Sequence, residues 1–157
     1  MGKVLKMKIV LLERNSAGTD VPVDCFHELG EVISYPNTVT AQEVAERVGD
    51  ADVIVCNKAP MREESLKDCP NVKLICELAT GYDNCDLVYC KSRGIKVANV
   101  VDYSTAMVAQ HTFTLALALS QKLPYYDEYV KSGAYSAQDR FSNFDQPFYE
   151  LEGKTWG

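Results

Sequence analysis

The feature that most constrains this chain is a set of short, continuous apolar runs spaced roughly 20 to 25 residues apart. Lys8-Ile9-Val10-Leu11-Leu12, Ala51-Asp52-Val53-Ile54-Val55-Cys56 and Val72-Lys73-Leu74-Ile75-Cys76-Glu77-Leu78 lack the in-out alternation of a half-exposed strand. Such runs predict strands covered on both faces. Lys96 to Val100 predicts another of this kind, while the shorter, more alternating Glu31-Val32-Ile33-Ser34-Tyr35 suits an edge. Helical signals fill the gaps. Asp24 to Gly30 reads as a helix end stopped by glycine. Thr40-Ala41-Gln42-Glu43 has the spacing of a capping box and opens a helix to Val48, stopped at Gly49. Glu63 to Cys69 ends at Pro70, and Asp86 to Arg93 ends at Gly94. Five strands joined by helices imply parallel pairing with right-handed crossovers. The fold class is therefore α/β, a flavodoxin-like five-stranded parallel doubly wound sheet.

The character changes after residue 101. Thr105 to about Lys131 predicts one long helix, with a kink or break at Pro124. Its first half, from Ala106 to Leu119, is apolar on nearly all sides and calls for burial beyond its own domain. From Gly133 to Tyr149 the chain is polar and aromatic with little periodicity, which suits a segment lying across a partner surface. Both features predict a homodimer.

Bulk chemistry excludes several functions. The net charge is 16 − 22 = −6, against the clustered basic residues that nucleic acid requires. The six cysteines (25, 56, 69, 76, 85 and 90) form no C-x-x-C pair, and Cys85-x4-Cys90 has no partners to complete a zinc site. They predict reduced, structural thiols in a cytoplasmic protein. The start, Met1 to Met7, has no apolar signal-peptide core, and the stretch Phe113 to Leu119 is too short to span a bilayer, so no membrane role is expected. G-x-S-x-G, P-loop and G-x-G-x-x-G patterns are absent. A phosphorylation receiver would need an Asp at the end of the third strand, where Cys56-Asn57-Lys58 stands. His27, in the first helix-like segment, is expected at a surface or an interface. His111, beside Met107 and Val108 on one helix face, is expected to be packed and hydrogen-bonded rather than a proton-transfer group. Asp83 and Asp86 suit a turn and a helix cap.

Two loops remain. Ala79-Thr80-Gly81-Tyr82-Asp83-Asn84 follows the fourth strand and Val101-Asp102-Tyr103-Ser104-Thr105 the fifth. Carboxyl ends of adjacent parallel strands are where open α/β sheets bind ligands. Gly81 permits close backbone approach and a positive φ. The N–H groups of Thr80 and Gly81 could then hold a carboxylate. A tight turn without a ligand would use the same residues. Tyr103 is equally readable as a packed aromatic, and Ser104 or Thr105 as the cap of the long helix.

Three motifs carry a family resemblance. Ala79-Thr80-Gly81-Tyr82-Asp83-Asn84-Cys85-Asp86, then Ser92-Arg93-Gly94-Ile95-Lys96-Val97-Ala98-Asn99-Val100, then Tyr103-Ser104-Thr105 with Val108-Ala109-Gln110-His111-Thr112-Phe113, resemble the NAD-dependent D-isomer-specific 2-hydroxyacid dehydrogenases, nearest their glycerate dehydrogenase (hydroxypyruvate reductase) branch. The resemblance implies a two-domain enzyme. Residues 1–100 correspond to the substrate-binding (catalytic) domain. Residues 101–157 correspond to an interdomain helix, a dimerisation arm and the start of an NAD-binding Rossmann domain. Leu151 to Gly157 resembles the segment just before that domain's glycine fingerprint, so the chain is expected to be an amino-terminal fragment. The family's catalytic Arg, Glu and His follow the fingerprint, so no catalytic residue is expected among these 157, and His111 matches a helix histidine instead. The resemblance assigns the substrate carboxylate to the amides of Thr80 and Gly81, flanked by Ala79 and Tyr82. It places Tyr103 and Ser104 along the substrate pocket, and Thr105 and Val108 near the nicotinamide. The implied reaction interconverts small D-2-hydroxy and 2-oxo acids, such as glycerate and hydroxypyruvate, with NADH or NADPH. The fragment is expected to bind no cofactor tightly and to lack turnover. The alternative expectation is a stand-alone, non-catalytic module that binds a carboxylate or a protein.

Overall fold

The three most apolar runs become neighbours at the centre of one sheet. In the computed structural model, which describes residues 7–18 and 20–157, β1 (Met7–Leu11), β3 (Val53–Cys56) and β4 (Leu74–Glu77) pair in parallel. β2 (Gly30–Ser34) and β5 (Lys96–Ala98) form the edges of the order β2-β1-β3-β4-β5. Val10, Ile54 and Ile75 lie in register across the central strands and are essentially inaccessible. All strands run the same way, so every strand-end loop opens on one rim of the sheet.

The two faces are covered unequally. On one, α2 (Ala41–Val48), α3 (Glu63–Leu66) and α4 (Leu87–Ser92) supply Val44, Val48, Leu66 and Cys90 to the main core around Leu12, Ile54, Met61 and Ile75. On the other, α1 (Cys25–Leu29) and the 3₁₀ turn Arg14–Ala17 flank a smaller cluster of Ile9, Leu11 and Val55, with Val23, Phe26, Cys76 and Leu78 partly buried beside it. The expected double coverage of the fifth strand does not occur: Lys96 and Ala98 are exposed, because β5 has no strand beyond it. All six cysteines are free thiols, with Cys25 alone among them exposed.

By contacts the chain divides into two units, Met1–Tyr103 and Ser104–Gly157. In the second, the single long helix of the sequence reading is two: α5 (Thr105–Ser120) and α6 (Leu123–Lys131), followed by α7 (Ala134–Ala137). The break falls at Lys122, whose φ is +51°, and Pro124 sits in the first turn of α6, where its missing N–H costs nothing. No residue of α5 is buried within this chain. Met107 is 74% exposed, and His111, expected to be packed, lies open as well because no helix of its own unit covers that face. Within the unit, Phe113 stacks on Trp156 with ring centroids 4.5 Å apart, and the Tyr126 hydroxyl donates to the Gln146 carbonyl at 2.6 Å. Among the described residues, no helix is long and apolar enough to cross a membrane.

The capping box forms as the spacing implies. The Thr40 side chain accepts from the Glu43 N–H at 3.2 Å, and Glu43 Oε2 accepts from the N–H groups of Val39 and Thr40, each at 3.0 Å. Those two amides, Val39 first, hold the Glu43 carboxyl below its ordinary value. A depressed carboxyl stabilises the fold above its unfolded value of about 4.3, and that contribution is lost as pH falls through the folded value. The difference in urea midpoint between wild type and Glu43→Gln is therefore expected to be largest near neutral pH and to shrink on acidification to about pH 3.

Candidate functional site

The loop leaving β4 is clamped at both ends. On the β5 side, Val100 N–H donates to the Ala79 carbonyl at 3.0 Å, the Thr80 hydroxyl to the Val100 carbonyl at 2.9 Å, and Asn99 Nδ2 to the Thr80 carbonyl at 2.7 Å. At the far end, Met61 N–H donates to the Asn84 carbonyl and Asp86 N–H to the Met61 carbonyl, each at 2.9 Å. The Asp86 side chain then caps α4 by accepting from Tyr89 N–H, as its position in the sequence suggests. Between the clamps, the N–H groups of Thr80 and Gly81 donate to no acceptor among the described residues, and both residues are exposed. Gly81 does not take the positive φ that its identity allowed, and a Cβ there would meet only Asp83 Oδ2 at 3.8 Å. What the glycine leaves is open space over two available donors.

Beneath this loop lies a carboxylate that sequence reasoning passed over. Glu77, on β4 and 2% exposed, accepts at Oε1 from Asn84 Nδ2 (2.8 Å), Cys85 Sγ (3.0 Å) and Cys56 Sγ (3.2 Å), while its Oε2 is enclosed without a partner. Burial, followed by the neighbouring Glu77 carboxylate, pushes the Cys56 and Cys85 thiols far above their ordinary range, so both remain protonated and donate. Asn84 Nδ2 also reaches the Ala59 carbonyl at 3.0 Å, tying the floor of the loop to the residues after β3. The available signal was a lone acid inside an otherwise apolar run, where burial demands dedicated donors.

A second missed carboxylate organises the neighbouring strand ends. Glu13, after β1 and 6% exposed, accepts from three successive backbone N–H groups: Asn57 at 2.7 Å, Lys58 at 2.8 Å and Ala59 at 2.9 Å. Arg14 beside it donates from Nη1 to the Gly18 carbonyl (2.6 Å) and from Nη2 to the Val21 carbonyl (2.8 Å).

These loops border a recess at the rim of the sheet. It measures about 290 Å³ and is lined by Ser16, Ala17, Val21, Leu78, Val100 and Tyr103. A narrower slot of about 110 Å³ shares Ala17, Val21 and Leu78 with it and is lined further in by Leu11, Phe26 and Val55 together with Glu13 and Arg14. Tyr103 thus joins Thr80 through Val100, and it is 62% exposed rather than packed. Tyr82 lines a separate shallow recess with Leu87, Val97 and Asn99, and Ala79 is half-buried. Ser104, Thr105 and Val108 belong to the second unit. Ser104 stands at the cap position of α5 without a side-chain capping bond, its carbonyl accepts from Val108 N–H at 2.8 Å, and Val108 is exposed. Among the described residues, no glycine-rich turn joins a strand to a helix in the way a dinucleotide pyrophosphate requires, and no acidic or sulfur cluster fits a metal.

The family model for D-isomer specific 2-hydroxyacid dehydrogenase, catalytic domain, matches residues 9–154. A hydroxypyruvate reductase from Blautia hydrogenotrophica is 36% identical over 154 residues, covering 96% of this chain and 48% of that protein. A glycerate dehydrogenase from Methylorubrum extorquens is 36% identical over 150 residues, covering 96% and 47%. The chain thus spans about half the length of the curated relatives it matches. Among solved structures, a D-lactate dehydrogenase from Aquifex aeolicus, complexed with NAD and lactic acid, superposes with a TM-score of 0.65 at 27% identity over 84% of this chain and 39% of that one.

Hydrogen bonds to a buried charge contribute more than neutral ones, and their loss would leave the amides after β3 unpaired. Glu13→Ala is expected to cost on the order of 3 kcal/mol in urea unfolding, and Glu13→Gln, which keeps one acceptor oxygen, about half of that.

Proposed function

This chain belongs to the D-isomer-specific 2-hydroxyacid dehydrogenase family, and from that premise we propose that residues 1–100 are the substrate-binding domain of an oxidoreductase that interconverts small D-2-hydroxy and 2-oxo acids, glycerate and hydroxypyruvate in particular. The single observation that supports this reading best is the pair of unused amides at Thr80 and Gly81, held on a doubly clamped loop at the rim of a parallel sheet. Two adjacent donors without an internal acceptor suit a carboxylate, and a loop already fixed by its neighbours binds with little further ordering cost. Thr80 and Gly81 hold the acid's carboxylate, with Ala79 and Tyr82 flanking them, while Tyr103 and Ser104 border the remainder of the substrate.

Residues 101–157 serve as interdomain helix, dimerisation arm and entry to an NAD- or NADP-binding domain, with Thr105 and Val108 near the nicotinamide. These residues provide no cradle for a dinucleotide on their own, so no hydride-transfer step is assigned to them. Their contribution is orientation of the acid. The setting is cytoplasmic, in keeping with six free thiols.

The reading is tested on this chain by following backbone amide resonances during titration with hydroxypyruvate. Thr80 and Gly81 should shift together and saturably. Gly81→Ala should leave the melting temperature unchanged or slightly raised, since its φ is ordinary, while weakening the acid at least several-fold. Titration without movement of those amides, or NADH-dependent reduction of hydroxypyruvate by the 157 residues alone, would refute the assignment. Homodimer formation through the exposed apolar residues of α5 and the arm, Met107, Leu119 and Phe141 among them, has its own readout. Sedimentation at micromolar concentration should give twice the monomer mass of 17.5 kDa, and a monomer would rule this assembly out.

A further inference from the structure

The loop that carries Thr80 and Gly81 is gathered at its base by a single buried oxygen. Glu77 is the last residue of β4 and lies in register with Cys56 at the end of β3. Its Oε1 accepts from Asn84 Nδ2 at 2.8 Å and from Cys85 Sγ at 3.0 Å, seven and eight residues farther along the chain. One atom thus ties the two arms of the loop together, with Thr80 and Gly81 between them. Cys56 Sγ adds a third bond at 3.2 Å from the neighbouring strand, and Asn84 Nδ2 carries the tie on to the Ala59 carbonyl at 3.0 Å. Burial first, and then the adjacent Glu77 side chain, keeps both thiols protonated, so they act as donors.

The sheet itself gains nothing from a carboxyl group at this position. Glu77 is 2% exposed, and its partners Cys56 and Cys85 belong to the main core, whose other buried members are all apolar. Its Oε2 is enclosed and meets no partner among the described residues. A buried carboxyl with one of its two oxygens unpaired destabilises a fold relative to an apolar side chain of similar shape. What it supplies is local, because its donors come from the end of β3 and the far arm of the loop. Resting on the carboxylate reading above, we propose that Glu77 is the positioning residue of the substrate loop. It does not touch the substrate; acting through Asn84 and Cys85, it fixes the Thr80 and Gly81 amides in the arrangement that receives the substrate carboxylate, at a cost in stability. Two amides must meet one carboxylate together, and a displacement of about 1 Å in a site of this kind costs up to about a hundredfold.

The test sets affinity against stability. Hydroxypyruvate is titrated into wild type and variants with the backbone amides followed, and the melting temperature of each is measured. Glu77→Met, which puts an apolar chain of similar length in place of the carboxyl, should weaken hydroxypyruvate about tenfold and shift the Thr80 and Gly81 amide resonances of the free protein, with the melting temperature unchanged or raised. Cys85→Ala should weaken binding about threefold, whereas Cys85→Ser, whose hydroxyl still donates to Oε1, should bind as wild type does. Val44→Ala, which opens the same core beneath α2, is the comparison: its melting temperature should fall and its affinity stay at the wild-type value. Wild-type affinity in Glu77→Met, equal affinities in Cys85→Ala and Cys85→Ser, or a fall in the Glu77→Met melting temperature as large as that of Val44→Ala would make Glu77 merely structural. Each would overturn the proposal and leave the carboxylate reading intact, since the wild-type amides would still respond to the acid. A wild type whose Thr80 and Gly81 amides do not move with hydroxypyruvate would overturn both.

Discussion

A parallel sheet ends all its strands on one rim, and the backbone amides of the loops there cannot be satisfied by the sheet itself. Nearly everything functional in this chain follows from how those amides are treated. After β3 they are taken by the chain's own carboxylate: Glu13 accepts from Asn57, Lys58 and Ala59 in succession. After β4 they are not. Among the described residues, Thr80 and Gly81 meet no acceptor for their N–H groups, although the loop carrying them is tied to Asn99 and Val100 on one side and to Met61 on the other. Two neighbouring strand ends thus present similar donors, one set occupied by an internal carboxylate and the other without an acceptor among the described residues. The rigidity of the second owes much to Glu77, whose buried oxygen gathers Asn84, Cys85 and Cys56 directly beneath the loop. A buried carboxylate with an unpartnered second oxygen is a costly way to hold a turn, and it is retained at the base of the candidate site.

The unequal covering of the sheet bears on function as well. One face is closed by α2, α3 and α4 over a continuous core. The other is closed only by α1 and a 3₁₀ turn, which leaves Val23, Phe26, Cys76 and Leu78 partly exposed and the rim recess apolar. In the second unit the imbalance is larger, since α5 is apolar around its circumference and buries nothing within this chain. Exposed apolar surface of that extent is typical of a face that meets a partner.

Much of the architecture was legible in the residues. The apolar runs located all five strands, the alternation in Glu31 to Tyr35 marked an edge, and Thr40 with Glu43 announced a capping box that forms as spaced. The misreadings share a cause. Lys96 to Val100 looked doubly covered because periodicity records apolar content and not what lies beyond an edge strand. Pro124 was legible as a break, but its place in the first turn of α6 depended on Lys122 adopting a left-handed conformation that no local signal demanded. His111 seemed packed because its helix neighbours are apolar, yet those neighbours are exposed too. In the site, Gly81 drew notice for a backbone freedom it does not use, while Glu13 and Glu77 passed unnoticed, because their partners lie far along the chain or across a strand pair.

By itself, the sequence determined which segments become parallel strands, where helices start and stop, and which family motifs stand at the strand ends. These depend on local periodicity, capping and turn chemistry, whose range is a few residues. Only the tertiary structure decided which strand-end amides are bonded within the chain and which meet no acceptor among the described residues, that Glu13 accepts from the amides after β3 while Arg14 donates to the Gly18 and Val21 carbonyls, and that Tyr103 lines one recess while Tyr82 lines another. Those outcomes turn on contacts between residues up to 46 positions apart, such as Glu13 with Ala59. Hydrogen bonds of that kind are made by the fold as a whole, and no local pattern encodes them.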